Sequence, residues 1–316
     1  MKKNVLVVGA GGMGQSHIKA LIALKCRVIA VCRSENSRKN LKKLFNIEVI
    51  SGGLSKLQSL QKIPKIALVA TDIQNLVTVS KQLILLGVEK ILIEKPGAIS
   101  IKELKDLDKL SKKRKTKIFI GYNRRFYQSI IQLQKLISKD GGITSISFDF
   151  TEWSDQIKKL NYPKSIKNKW FLANSTHVVD TFIHLAGLPK KITNTTSGSI
   201  DWHPNASYFA GFGITENDVP FSYSSDWISA GRWGLEVNTK KNKYILRPLE
   251  KLIVNSKNTI QYEEYKLKKN KIDLDFKPGI YEQSKALISL EGKGLCSLSE
   301  HIKNFKIYEI ISGYKS

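Results

Sequence analysis

Four glycines near the amino end constrain this chain more than any other feature: Gly9, Gly11, Gly12 and Gly14, in the run Gly9-Ala10-Gly11-Gly12-Met13-Gly14. They follow the apolar stretch Val5–Val8 and lead into a helical pattern over Met13–Leu24. A strand, a glycine turn and a helix in that order open a βαβ unit whose turn can cradle a pyrophosphate. Gly9 permits the tight turn, Gly11 lets backbone approach the phosphates, and Gly14 lets helix and strand pack closely. The helix amino terminus adds a positive dipole. Gly12 and Met13 complete the expected contacts of this turn with a dinucleotide.

The next hundred residues continue the alternation. Short, wholly apolar runs at Val28–Val31, Ile66–Ala70, Ile91–Ile93 and Ile118–Ile120 read as strands covered on both faces. Helical periodicity separates them at Asn36–Phe45, Asn75–Leu86 and Ile101–Leu110. After Gly121 the rhythm changes. A helix over Ser129–Ile137 precedes a strand in Ile143–Trp153, where Ile146, Phe148 and Phe150 alternate with Ser145, Ser147 and Asp149. A polar, lysine-rich connection over 154–169 follows, then a helix at about 174–186, a series of short strands from Lys191 to about Lys266, and two helical segments near 279–290 and 300–312. The expected fold is α/β: a Rossmann dinucleotide-binding domain over 1–121 and a C-terminal α+β domain over 122–316 with an open, largely antiparallel sheet.

Charge sets the partners to be weighed. The formal net charge is +25, which would suit a polyanion. Of the 52 basic residues, however, only 8 are arginine, the cation that recognises phosphate and base edges in bidentate fashion. The densest run, Lys112, Lys113, Arg114, Lys115 and Lys117, falls at the end of a helical pattern, where cations suit the dipole. Neither nucleic acid nor a membrane is expected as partner: no window approaches the ~18 apolar residues of a span. Three cysteines, Cys26, Cys32 and Cys296, are too few for a disulfide framework and fit a reducing, cytoplasmic setting.

The end of the second strand bears on which dinucleotide binds. An acid there would accept from the ribose 2′-OH and repel a 2′-phosphate. The chain instead has Arg33 and Ser34, with Arg38 and Lys39 behind, so NADP is expected over NAD; Glu35 is the alternative ribose partner. Thr71, after the strand Ile66–Ala70, joins the expected cofactor contacts. So do Glu94 and Lys95 of Ile93-Glu94-Lys95-Pro96-Gly97, at the carboxyl end of a strand, where α/β sheets bind ligands. Lys95 is suited to share or remove a hydroxyl proton, and Pro96 to fix the chain, through a cis bond if needed.

Four motifs together, the glycine run, Glu94-Lys95-Pro96, Gly121-Tyr122-Asn123-Arg124-Arg125-Phe126 and His177-Val178-Val179-Asp180 before Leu185-Ala186-Gly187, have the order and spacing of the glucose–fructose oxidoreductase / inositol dehydrogenase (Gfo/Idh/MocA) family. The chain resembles that family over most of its length. The resemblance implies a nicotinamide-dependent oxidoreductase acting on a sugar, cyclitol or nucleotide-sugar derivative, and a homodimer or homotetramer formed through the C-terminal sheet. It implies Lys95 and His177 as the catalytic pair, with Asn123 and Arg125 lining the cleft. The family's usual Asp four residues before the histidine is Ala173 here, with Asn174 beside it. That departure suggests a subgroup, one acting on sugars for surface polysaccharides, and keeps open reduction of an imine or conjugated bond, or a non-catalytic NAD(P)-binding sensor.

On the substrate side, Tyr122, Asn123, Arg125, Trp153, Trp170, Asn174 and His177 are the expected contacts, with aromatic faces suited to a pyranose. Tyr162 flanks the same region. Lys158, Lys159, Lys164, Lys167 and Lys169 could attract an acidic sugar or a sugar diphosphate, or could be solvated loop residues. Trp202, Trp227 and Trp233 are expected in the core or a subunit interface, and His184 in the core. No metal is expected, since Lys95 supplies the charge stabilisation a zinc ion would provide.

Overall fold

The continuous apolar runs of the first 120 residues are buried as a layer, and their hydrogen bonds set the fold. The computed structural model describes residues 2–59, 62–267 and 275–314. It divides into two units, one of Met1–Asn123 with Lys271–Ile302 and the other of Arg124–Asn270 with Lys303–Ser316.

In the first unit, β1 (Asn4–Val8), β2 (Arg27–Val31), β3 (Glu48–Ile50), β4 (Ile66–Val69), β5 (Lys90–Ile93) and β6 (Lys117–Ile120) pair in parallel. Spatial order is β3-β2-β1-β4-β5-β6, with β15 (Cys296–Ser297) added antiparallel beyond β6. This is the doubly wound order in which the chain reverses direction of winding between β1 and β4, the place where such sheets bind ligands. The helices α1 (Gly12–Ala23), α2 (Glu35–Leu44), α3 (Leu76–Leu85) and α4 (Ile101–Lys113) supply the crossovers. Val5, Leu6, Val7, Ala67, Leu68, Val69, Ile91, Leu92 and Ile93 are inaccessible to solvent.

The boundary of this unit departs from the expectation that everything after residue 121 is separate. Helix α9 (Ile280–Ile288) packs on α1, and β15 continues the sheet. Ile280 and Leu287 are fully buried there, so the returning segment covers apolar surface of the parallel sheet's helical layer.

The second unit holds α5 (Gln128–Lys139), β7 (Ser145–Asp149), the short helices α6 (Ser154–Lys159) and α7 (Lys164–Lys167), and α8 (Thr176–Ala186). The strands β8 (Pro189–Ser197), β9 (Tyr208–Thr215), β10 (Pro220–Asp226), β11 (Gly234–Asn238), β12 (Asn242–Leu246), β13 (Ile253–Ser256) and β14 (Glu263–Glu264) follow. The helix α10 (Leu298–Ser312) contributes its residues from Lys303 onward to this unit. An eight-stranded sheet runs β14-β13-β12-β11-β7-β10-β9-β8. Only its β7–β10 pair is parallel. The alternation read in 145–150 is realised: Ile146, Phe148 and Phe150 are buried, and Phe148 stacks on Phe182 of α8 with ring centres 4.7 Å apart. The polar 154–169 connection is ordered as α6 and α7 rather than as a long structureless loop.

Candidate functional site

In the first unit, the glycine turn has the geometry its sequence calls for. Gly9 adopts φ +122°, and a Cβ there would lie 2.2 Å from the Ala70 carbonyl oxygen; one on Gly14 would lie 2.2 Å from the Gly9 oxygen. Both positions are therefore closed to side chains. Gly11 and Gly12, by contrast, face open space. No side chain caps α1 at Gly11 and no acidic residue occupies its first turn, so its N–H groups are left to an anion. That open cradle at a dipole's positive end fits a pyrophosphate. The Lys277 ammonium lies 2.9 Å from Met13 Sδ, beside the turn. The sequence assigned this lysine to the wrong unit and so missed it.

The other expected cofactor residues divide. Arg33 is exposed and pairs with exposed Asp72 at 3.0 Å, a contact that a stronger anion can replace. Ser34 caps α2, accepting from the Ser37 amide at 3.1 Å. Arg38 donates to both Glu35 carboxylate oxygens at 2.8 Å, and with Ser51 it holds the Glu35 carboxyl down at about 2. Arg38 and Glu35 thus partly neutralise each other. Thr71 follows the β4 end. Glu94, expected against the cofactor, is instead buried and receives His17 Nε2 at 3.0 Å, while His17 Nδ1 contacts Ser284 Oγ at 3.0 Å. A buried carboxylate needs such a partner, so Glu94 ties β5 to α1 and α9. Lys95 follows it, half-buried, with a cis bond to Pro96. The Pro96 carbonyl contacts His301 Nε2 at 2.9 Å, and the His301 ring lies 5.6 Å from that of Tyr122. Tyr122 and Asn123 are both buried, with Asn123 Nδ2 donating to the Pro278 carbonyl at 2.9 Å.

In the second unit, the site forms where the strand β7 runs out and α8 begins. Residues Phe171–Ser175 make a π-helical turn ahead of α8, a local widening often found at functional positions. It brings Asn174 and Ser175 to Glu152. Asn174 Nδ2 donates to the two Glu152 oxygens at 2.9 and 3.1 Å, Ser175 Oγ at 2.8 Å, and Arg232 Nη1 at 2.7 Å. Glu152 is 1% exposed. Burial pushes its carboxyl pKa up, and Arg232 and the hydrogen bonds from Ser175 and Asn174 pull against that. So a buried carboxylate stands beside Asn174 although position 173 has none, but it comes from the segment that follows β7.

The Arg232 guanidinium lies 4.7 Å from the Trp153 ring centre and 4.2 Å from that of Trp233, a doubly stacked cation. Trp233 also receives Arg124 at 5.1 Å and lies 5.8 Å from the His177 ring. Arg124 Nη1 is 2.7 Å from His177 Nε2. A guanidinium only donates, so Nε2 is the acceptor and the ring proton sits on Nδ1. Glu152, Arg124, Arg232 and Trp233 are therefore part of a site of which sequence reasoning named only Trp153, Asn174 and His177.

Two expected substrate contacts lie elsewhere. Arg125 forms a buried bidentate pair with Asp180, at 2.8 and 2.6 Å, because a guanidinium at 4% exposure requires a carboxylate. Trp170 is buried between Tyr162 and Trp202. His184, as expected, is a packed residue: it takes a hydrogen bond from Gln134 at 3.1 Å, and burial, with Arg125 nearby, lowers it to about 3. A cavity of about 650 Å³ opens beside Trp153, with Glu152, Asp155, Lys158, Asp201 and Trp202 in its wall. Lys158 is paired with Asp201 at 2.9 Å. Lys169 lies over the Tyr314 ring at 4.2 Å.

Comparison with known proteins bears on the fold. No curated protein matches the chain in sequence. Among solved structures, a dehydrogenase (MviM) from Clostridium difficile is 18% identical, with TM-score 0.77 over 99% of each chain. UDP-N-acetylglucosamine 3-dehydrogenase GnnA from Acidithiobacillus ferrooxidans is 13% identical, with TM-score 0.75 over 99% of each. An oxidoreductase from Agrobacterium radiobacter, in complex with NAD+, L-tartaric acid and magnesium, is 14% identical, with TM-score 0.78 over 98% of this chain and 95% of that one. At these identities the likeness is one of fold. Residues 3–122 match the model of an oxidoreductase family (GFO_IDH_MocA) with an NAD-binding Rossmann fold.

Proposed function

We propose that the chain is an NADP-preferring dehydrogenase that moves a hydride between nicotinamide and a hydroxyl-bearing carbon of a sugar, cyclitol or nucleotide sugar, with a role in making surface polysaccharide sugars. The observation that carries the proposal is the glycine turn, closed at Gly9 and Gly14 and open at Gly11 and Gly12 against an uncapped helix end. When bound there, the nicotinamide supplies hydride exchange at its C4. The protein's own groups supply the rest. Lys95 hydrogen-bonds the reacting oxygen and stabilises the charge that develops on it. His177 takes up the hydroxyl proton at Nε2, the substrate hydroxyl replacing the Arg124 N–H that occupies this lone pair in the free protein. Arg33 exchanges Asp72 for the 2′-phosphate. Exposed Tyr208 and Phe212 on β9 suit a homodimer or homotetramer formed through the C-terminal sheet.

Fluorescence titration of the purified protein with NADPH and NADH tests the cofactor half. NADPH is expected to bind at least about tenfold tighter, and Arg33→Ala to remove that difference. Tighter NADH binding overturns the preference, and binding of neither overturns the whole proposal. Lys95→Ala is expected to keep NADPH affinity while losing turnover by about a hundredfold or more; near-normal turnover would sink its assigned role.

A further inference from the structure

We infer that the first unit carries a second anion site, at the amino ends of its parallel strands, and that its ligand is a small molecule with several linked phosphates. The site does not depend on the dehydrogenase reading above. Lys3 precedes β1, Lys65 precedes β4, and Lys90 and Lys117 begin β5 and β6, where they pair in register. Neighbouring strands lie ~4.8 Å apart and paired residues share a face, so two ammoniums are set side by side. The turn after α4 adds Arg114 and Lys115, part of the basic run that by sequence reads as a helix end. The glycine turn stands at the opposite, carboxyl ends of the strands, and the five residues of β1 separate the two places by roughly 15 Å. The dinucleotide cradle therefore does not account for these cations.

These residues wall a cavity of about 730 Å³, a size that suits a small ligand. Seven of its fifteen lining residues are lysine or arginine, against 52 of 316 in the chain, so the concentration is local and exceeds the general habit of the sequence. Its one acid, Glu89, is taken by Lys65 at 2.9 Å. Among the described residues no carboxylate pairs with Lys3, Lys62, Lys90, Arg114, Lys115 or Lys117. Lys3 and Lys90 have neutral partners at the end of α9: Lys3 Nζ donates to the Ile288 carbonyl, and Lys90 Nζ to those of Ser289 and Leu290. These carbonyls position the two ammoniums without cancelling their charge, and an ammonium has three protons to donate, so donors remain on both. Burial, with the charges of Lys117 and Lys3, pulls the Lys90 pKa down, the penalty that a bound anion relieves. The strands β1, β4, β5 and β6 are consecutive in the sheet, which spreads the row over roughly 14 Å. One phosphate meets only part of such a row, whereas several linked phosphates match it. Lysines read charge and not shape, so the number of phosphates selects the ligand. Leu290, 88% exposed in the same wall, offers a face to a base if the phosphates belong to a nucleotide. A cavity of this size holds a few phosphates, not the length of a nucleic acid.

The test is isothermal titration calorimetry of the full chain with orthophosphate, inorganic triphosphate, ATP and a short DNA duplex, each with and without excess NADPH to occupy the glycine turn. Inorganic triphosphate is expected to bind at one site, about tenfold or more tightly than orthophosphate. The double variant Lys62→Gln with Lys117→Gln is expected to weaken it about tenfold or more. Lys240→Gln with Lys257→Gln, which removes the same charge from the second unit, is expected to change it by less than about twofold. All four lysines are exposed, and melting curves show whether both double variants are folded; Arg114→Gln gives an independent loss if the first is not. The contrast between the two double variants reads the site whether or not NADPH binds. ATP bound about tenfold more tightly than triphosphate, with Leu290→Ser removing the gain, assigns the phosphates to a nucleotide; equal or weaker ATP binding assigns them to a free oligophosphate. Either result upholds the site. No binding of triphosphate, triphosphate no tighter than orthophosphate, loss of triphosphate binding when NADPH is present, equal losses in the two double variants, or binding of the DNA duplex alone overturns the inference.

Discussion

At the scale of single residues, the decisive groups are charged side chains whose role depends on what they meet. Arg124 and Arg125 are neighbours in sequence, yet one contacts an imidazole at 2.7 Å and the other a buried aspartate at 2.6 Å. The Arg125–Asp180 pair holds α8 to the segment before α5. Removing one partner strands a charge where water does not reach, so Asp180→Asn is expected to destabilise the protein by about 3–5 kcal/mol. Replacing both with apolar residues of similar volume should recover much of that loss, and urea denaturation of the single and double variants measures it. If Asp180→Asn changed stability by less than about 1 kcal/mol, the pair would not be structural. Residue type and motif were enough to single out Lys95 and His177. They were not enough for Glu152 and Arg232, which lie 80 positions apart and are joined only by the ends of two strands.

Among elements, the first glycine turn shows how far local sequence reaches. Its closed positions are closed by backbone, and its open ones stay compatible with a side chain: Gly11 has φ −72° and Gly12 begins α1. Gly12→Ala is therefore expected to stabilise the free protein by about 0.4–1 kcal/mol through the unfolded chain, while the added methyl weakens NADPH binding. Gly14→Ala, with a Cβ 2.2 Å from the Gly9 oxygen, is expected to destabilise it. Melting curves with and without NADPH check both; a Gly14→Ala protein as stable as the parent would contradict the packing described. Strand β15 and the layer that helix α9 covers, though not the helix itself, escaped the sequence for a different reason. A two-residue strand has no periodicity to detect, and α9 has the same apolar stripe whichever layer it covers.

For the whole molecule, stability depends on pH through histidines held neutral. His203 is lowered to about 4 and His184 to about 3, each mainly by burial, from an ordinary value near 6.5. The unfolded chain therefore binds more protons than the folded one between those values. The stability these residues contribute is full above pH 6.5 and is lost as pH falls toward 4 and below, at on the order of 1.4 kcal/mol per pH unit for each. Urea midpoints between pH 7.5 and 4.5 should fall, and His203→Gln should flatten the slope if Tyr314 and Ala206 still find a partner; an unchanged slope would refute its part. The net charge of +25 has no comparable role in the fold, since most lysines lie on the surface.

What the sequence alone determined was the parallel sheet, its glycine turn and the places of Lys95 and His177, because those features depend on neighbours a few residues away: apolar runs, turn glycines and helical spacing. Tertiary structure decided that 275–302 returns to the first unit, that Arg125 and Trp170 are buried while Trp153 stays exposed, and that Glu152 braces Arg232. Those outcomes depend on which polar groups lose water together. Burial forces a charge to find a partner wherever the fold brings one, and sequence distance does not record which partner that is.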